Sequence, residues 1–152
     1  MKTLIVYDSM YGNTEKIANA IGGAITGEVK VLRAGDVNPS ELEKPELLIV
    51  GSPTQGGRPT RMMQDFLSRV SGSVIRGINV AAFDTRFSSR WVRVFGYAAR
   101  RITRSLEKLG GIPVVPPEGF FVEGTKGPLR EGELERAAIW AKRITEGNRT
   151  VS

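Results

Sequence analysis

Apolar and polar residues come in blocks along this chain, and the blocks change period. Residues 2–7 (KTLIVY) are a short run of strand formers. Residues 13–25 follow with Ile17, Ala18 and Ile21 at helical spacing. Residues 29–32 predict a second strand. Asn38-Pro39 predicts a helix start with proline at the first helical position, held to barely two turns by Pro45. Residues 47–50 are apolar throughout, the pattern of a central strand covered on both faces. A helix over 60–70 places Met63, Phe66, Leu67 and Val70 on one face, and residues 78–83 form a fourth strand.

A long helix is predicted over 90–109. Its inner face is Trp91, Val94, Phe95, Ala98, Ile102, Ser105, Leu106 and Leu109, with Arg93, Arg100, Arg101, Arg104 and Lys108 outward. Residues 112–115 give a fifth strand, interrupted at 116–119 and continued by 120–122. Residues 124–132 read as a surface loop. The last helix covers 131–145, with Leu134, Ala137, Ala138, Ala141 and Ile144 inward, and 147–152 are expected to fray. Strands and helices alternate five times. Short apolar strands in this order predict an α/β three-layer sandwich around a five-stranded parallel sheet, a single domain over 1–152.

In such a sheet the carboxyl ends of the strands share one edge, where ligands collect. Three polar loops leave those ends: 8–14, 51–60 and 84–89. The first, DSMYGNT, lies between a buried strand and a helix N-terminus. Backbone N–H groups and the positive helix end converge there, with hydroxyls from Ser9 and Thr14 and an amide from Asn13, so the loop predicts an anion site for a phosphate ester.

Composition narrows the chemistry. The chain has no Cys and no His. That removes thiol nucleophiles, disulfides, the usual zinc ligands and the commonest general base, leaving Asp, Glu, Lys, Tyr or a cofactor to act. No apolar run approaches a membrane span, and no basic region followed by a long apolar stretch opens the chain, which predicts a cytoplasmic protein. The net charge of +6 is concentrated between residues 51 and 110, mostly as arginine, and suits an acidic partner, a nucleotide or an anionic membrane face. No nucleic-acid reading motif accompanies it.

The loop residues exclude several phosphate-binding designs. The dinucleotide pattern needs three glycines where only Gly12 stands. The nucleoside-triphosphate loop needs a Gly-Lys-Ser/Thr ending. A receiver domain wants Asp after strand three, where Gly51-Ser52 stand. What remains resembles the flavodoxin family over almost the whole chain. The resemblance rests on Ser9–Thr14 as phosphate loop, on Gly51-Ser52-Pro53-Thr54-Gln55-Gly56-Gly57, and on Phe83-Asp84-Thr85-Arg86. The short break in strand five matches the short-chain form and implies the sheet order 2-1-3-4-5.

The resemblance implies flavin mononucleotide (FMN) as cofactor. Ser9, Met10, Tyr11, Gly12, Asn13 and Thr14 would hold its phosphate. Pro53, Thr54, Gln55, Gly56, Gly57 and Arg58 would border the ring, with the Gly56–Gly57 peptide facing flavin N5. Asp84, Thr85, Arg86 and Phe87 would meet the ring's other edge. Electron-carrier members usually stack an aromatic residue on the ring; loop 51–60 has none, and the third loop offers Phe87. Carriers are also acidic, whereas this chain is basic, and Arg58 and Arg86 are the cations placed to favour an anionic reduced flavin. The implied function is an FMN redox protein transferring electrons between protein partners, the partner presenting an acidic face. Two alternatives stay open: an FMN-dependent oxidoreductase acting on a quinone or porphyrinogen-like substrate, with peripheral membrane contact, and a flavin-free binding module.

Overall fold

The computed structural model describes residues 1–42, 45–87 and 97–151. Strands β1 (Lys2–Tyr7), β2 (Glu28–Arg33), β3 (Leu47–Pro53), β4 (Asn79–Arg86), β5 (Ile112–Pro113) and β6 (Glu118–Phe121) form one sheet in the order β2-β1-β3-β4-β5, with β6 also paired to β4. Every pair is parallel. The two short strands are the halves of the interrupted fifth strand, so the sheet order is the expected 2-1-3-4-5.

Strand residues alternate between two apolar layers, as the pleat requires. On one face Ile5, Leu47, Ile49, Ala81 and Phe83 meet helices α1 (Asn13–Gly23) and α5 (Glu133–Val151). On the other, Leu4, Val6, Leu48, Val50, Val80 and Ala82 meet α2 (Arg61–Arg69), the single turn α3 (Gly72–Ile75) and α4 (Ala98–Lys108). Phe83, Phe120 and Trp140 pack edge to face with centroids 5.9–6.1 Å apart, the arrangement aromatic quadrupoles favour.

Several elements differ from the sequence expectation. The third strand runs past Val50 to Pro53, so Gly51 and Ser52 are strand residues rather than the start of the loop. The Asn38-Pro39 helix is one 3₁₀ turn, Pro39–Leu42. The fourth strand does not stop at Phe83. Asp84, Thr85 and Arg86 are strand residues, because β6 pairs all three and β3 pairs Asp84 and Thr85 on the other side. The long helix begins at Ala98; Tyr97 before it is extended, with φ −131°. Trp91, Val94, Phe95, Arg90 and Arg93 lie outside the described residues. The last helix continues to Val151 and does not fray at 147. Its buried face is also rotated: Leu134 is exposed, while Glu133, Ala137, Trp140, Ala141 and Ile144 are buried. Glu133 goes inward because its carboxylate accepts from Phe121 N–H at 2.7 Å and from Arg136 Nε at 3.0 Å.

Candidate functional site

The first loop hangs from the end of β1. Asp8 N–H bonds Gly51 O at 3.1 Å and sets its height over the sheet. Gly12 turns the chain into α1 with φ +90°, a conformation that penalises any side chain with a Cβ. Ser9 Oγ accepts from Gly12 N–H at 3.0 Å. No side chain caps α1 at its N-cap residue. The first-turn N–H groups, which have no partner within a helix, therefore face the loop's interior and form an anion-binding cradle. Asn13 Nδ2 donates to Lys126 O at 3.2 Å, and the Thr14 and Thr85 hydroxyls share a bond of 2.8 Å.

Two carboxylates beside this cradle would oppose an anion, and Arg33 offsets both. It lies 3.5 Å from Asp8 and 3.2 Å from Glu15, and donates to Ser9 O at 3.0 Å. Asp8 also accepts from the Thr60 hydroxyl, which ties the first loop to the second. Tyr7 donates to Glu15 at 2.6 Å; burial, and then that bond, hold its hydroxyl above the ordinary tyrosine range. The pattern of the sequence alone did not single out Arg33. The signal was available once strand order was assumed, since Arg33 pairs in register with Tyr7.

The second loop is a tight hairpin. Gln55 and Arg58 exchange backbone bonds of 2.8 and 3.0 Å around Gly56 and Gly57, both at positive φ (57° and 81°). Two consecutive positive φ angles are what a primed two-residue turn requires. Ser52 Oγ accepts from Thr60 N–H at 3.0 Å and Thr60 caps α2 through Met63 N–H, which closes the loop's base.

At the end of β4, Asp84 is fully buried. Arg86 grips it through Nε at 2.6 Å and Nη2 at 2.8 Å, and lies 3.3 Å from the centroid of the Tyr97 ring. Ala99 N–H donates to Asp84 Oδ2 at 2.9 Å, and Ala98 N–H to Thr54 Oγ1 at 3.1 Å. These two acceptors fix where α4 starts: a buried carboxylate meets the positive end of the helix. Burial pushes the Asp84 carboxyl above its usual range, against the downward pull of Arg86, Ala99 N–H and Thr54.

A shallow cleft of about 110 Å³ runs between the loops, below the roughly 300–1,000 Å³ of enclosed small-molecule sites, so a cofactor held there would stay partly exposed. It is lined by Ser9, Met10, Tyr11, Asn13, Thr14, Pro53, Thr54, Gln55, Thr85, Arg86 and Phe87. Gly12, Gly56 and Gly57 shape the loops without lining it. Asp84 lies beneath it and holds Arg86 rather than facing a ligand. Arg58 turns away, into a groove between α2 and α4. Val122 and Thr125 also line the cleft. The sequence reading missed them by placing Val122 in the continuation of the fifth strand and Thr125 in a surface loop over 124–132, although both follow a strand leaving the same edge. Apart from Arg86, which is held by Asp84, the donor set is uncharged hydroxyl, amide and backbone N–H at a helix N-terminus, beside Met10, Pro53, Val122 and two aromatic rings. It fits a phosphate ester carrying a flat apolar ring.

A sequence model described as Flavodoxin matches residues 5–140. Among solved structures, a flavodoxin from the domain Archaea is 26% identical, with TM-score 0.82 over 98% of this chain and 99% of that one. Flavodoxin 2 from Bacillus cereus is 25% identical, with TM-score 0.80 over 96% and 99%. Rubredoxin oxygen:oxidoreductase from Desulfovibrio gigas is 20% identical, with TM-score 0.78 over 98% of this chain but 36% of that one, and shares the fold. A search of curated proteins finds no match. Among the described residues, no helix is long and apolar enough to cross a membrane.

Proposed function

The chain belongs to the flavodoxin family, and on that premise we propose that it holds FMN in this cleft and passes electrons between protein partners. The observation that carries the reading is the uncapped N-terminus of α1 opening into the cleft between Ser9 and Thr14. The flavin would supply the electron storage; the protein supplies position and electrostatics. The first-turn N–H groups and the Ser9 hydroxyl would hold the phosphate, with Arg33 keeping Asp8 and Glu15 from repelling it. Pro53, Thr54 and Gln55 would wall one side of the ring, and Thr85, Arg86 and Phe87 the other.

One electrostatic expectation changes. Arg86 is committed to Asp84, and Arg58 lies in another groove. The cleft is thus less cationic than the two arginines suggest, and the overall positive charge weighs less on the flavin's potential.

The proposal is tested by incubating the protein with FMN, desalting, and recording the flavin absorption retained. Retention in proportion to chain supports it; loss of all colour overturns it. Ser9→Asp sharpens the test. Its carboxylate can still accept from Gly12 N–H and lies near a helix N-terminus, so stability should stay within about 1 kcal/mol. A like charge a few ångströms from the phosphate should weaken FMN binding about 100-fold. Riboflavin, which lacks the phosphate, should bind both proteins alike in a fluorescence titration.

A further inference from the structure

The groove that receives Arg58 is distinct from the cleft and has no role in it. α4 forms one wall with Arg101, Arg104 and Lys108. Their spacing of three and four residues places them on one helix face, over about 10 Å. Gln64 and Ser68 of α2 form the other wall. None of the four cations lies within ion-pair distance of a carboxylate among the described residues. The acid of α4, Glu107, turns toward a different hollow, and Asp65 of α2 does not line the groove. The groove therefore gathers four positive charges without an ion-paired carboxylate among the described residues.

The hairpin of the second loop links it to the cleft. Gln55 faces the cleft and Arg58, its partner in the turn, faces the groove. Whatever occupies the groove lies against the loop that borders the cleft.

We infer that this groove docks the acidic face of a redox-partner protein and seats it beside the cleft. This rests on the flavin reading above for its purpose but not for its binding chemistry. The cations are exposed and spread along a stripe, which matches separated carboxylates on a protein face. A single phosphate would need donors converging on one point. Among the described residues, no aromatic ring lines the groove to stack a base. Paired with an acidic face, such a stripe raises association rates and fixes orientation.

The probe is the soluble acidic haem protein cytochrome b5, carrying a fluorescent label, titrated by anisotropy with both flavin-free and FMN-incubated protein. Raising ionic strength from about 0.01 M to about 0.15 M shortens the Debye length from about 30 Å to about 8 Å and should weaken binding about tenfold. Arg104→Glu should weaken it about tenfold, and Arg101→Glu/Arg104→Glu/Lys108→Glu about 100-fold. Lys142→Glu makes the same charge change on an exposed residue of α5, across the sheet, and should stay within about twofold. In the loaded protein, reduced with dithionite, the flavin is oxidised as each ferric haem takes one electron, and the transfer rate should follow the same order of variants.

Equal losses from Lys142→Glu and Arg104→Glu would overturn the inference, since net charge alone would then explain the binding. So would tighter binding to basic cytochrome c, to a single-stranded DNA 20-mer or to phosphatidylserine vesicles than to cytochrome b5. Failure of the flavin reading appears separately, as a colourless protein whose groove still discriminates these variants in the anisotropy titration.

Discussion

Asp84→Ala should cost the fold about 3–5 kcal/mol, the loss expected when one partner of a buried ion pair is removed. Three hydrogen bonds lose their acceptor together. Arg86 loses both bonds of its fork, and Ala99 N–H loses the carboxylate that starts α4. The Arg86 guanidinium, largely buried against Tyr97, is left without its counter-charge. Thermal unfolding of the variant should fall by roughly 10 °C. A fall of only a degree or two would mean that the pair is a bystander. Asp84→Asn keeps an acceptor and the shape, so it should cost clearly less.

The same pair sets a pH dependence of unusual sign for an aspartate. Burial raises the folded-state pKa of Asp84 above its unfolded value. The native state then binds the proton more tightly than the unfolded state. The resulting stability is fully present below the unfolded pKa and is lost as pH rises through the raised folded pKa. Wild-type stability minus that of Asp84→Asn should therefore decline with rising pH in urea titrations. A difference that grows with pH would show that Arg86 and the helix end outweigh burial.

Gly51→Ala is the second large effect, and it acts by volume. A methyl group at Gly51 in β3 would enter the space of the Phe83 ring. That ring is fully buried and held by Phe120 and Trp140, so it has nowhere to move. Overpacking of this kind costs about 1–3 kcal/mol, and Gly51→Val should fail to accumulate folded protein. Phe83→Leu should relieve the clash. In a double-mutant cycle by urea unfolding, Gly51→Ala should cost less by about 1 kcal/mol or more in the Phe83→Leu background than in wild type. Strict additivity would rule out the contact as the cause.

These two positions also mark the limit of reading the chain from its pattern. Gly51-Ser52 is visible as a loop entrance, and Asp84 as a polar residue after an apolar run. That Gly51 is needed to make room for Phe83 depends on the lateral register of β3 and β4, which pairs the two. That Asp84 belongs to a strand depends on β6, which arrives thirty-odd positions later and pairs it with Gly119. A run of local residues cannot announce a partner that distant.

What the sequence by itself determined was the part governed by local periodicity and turn chemistry. The alternation of strands and helices, the parallel sheet, the buried faces of α1 and α2, and the glycine turns at Gly12 and Gly56-Gly57 all follow from spacing and backbone freedom. The proposal of an anion site in the first loop also rests on sequence, because one short segment carries strand end, turn and helix start. Tertiary structure alone decided the rest. It started α4 at Ala98, where Thr54 just past β3 and Asp84 of β4 supply acceptors. It rotated α5 so that Glu133 and Trp140 turned inward and Leu134 outward, since Phe121 and Phe83 offered them partners. It also sent Arg86 to a buried carboxylate and Arg58 to a groove, although the two looked equivalent in the chain. The physical reason is common to all three. Charge pairing, capping and aromatic packing are satisfied between elements far apart in sequence, and their energies exceed the local preferences that periodicity records.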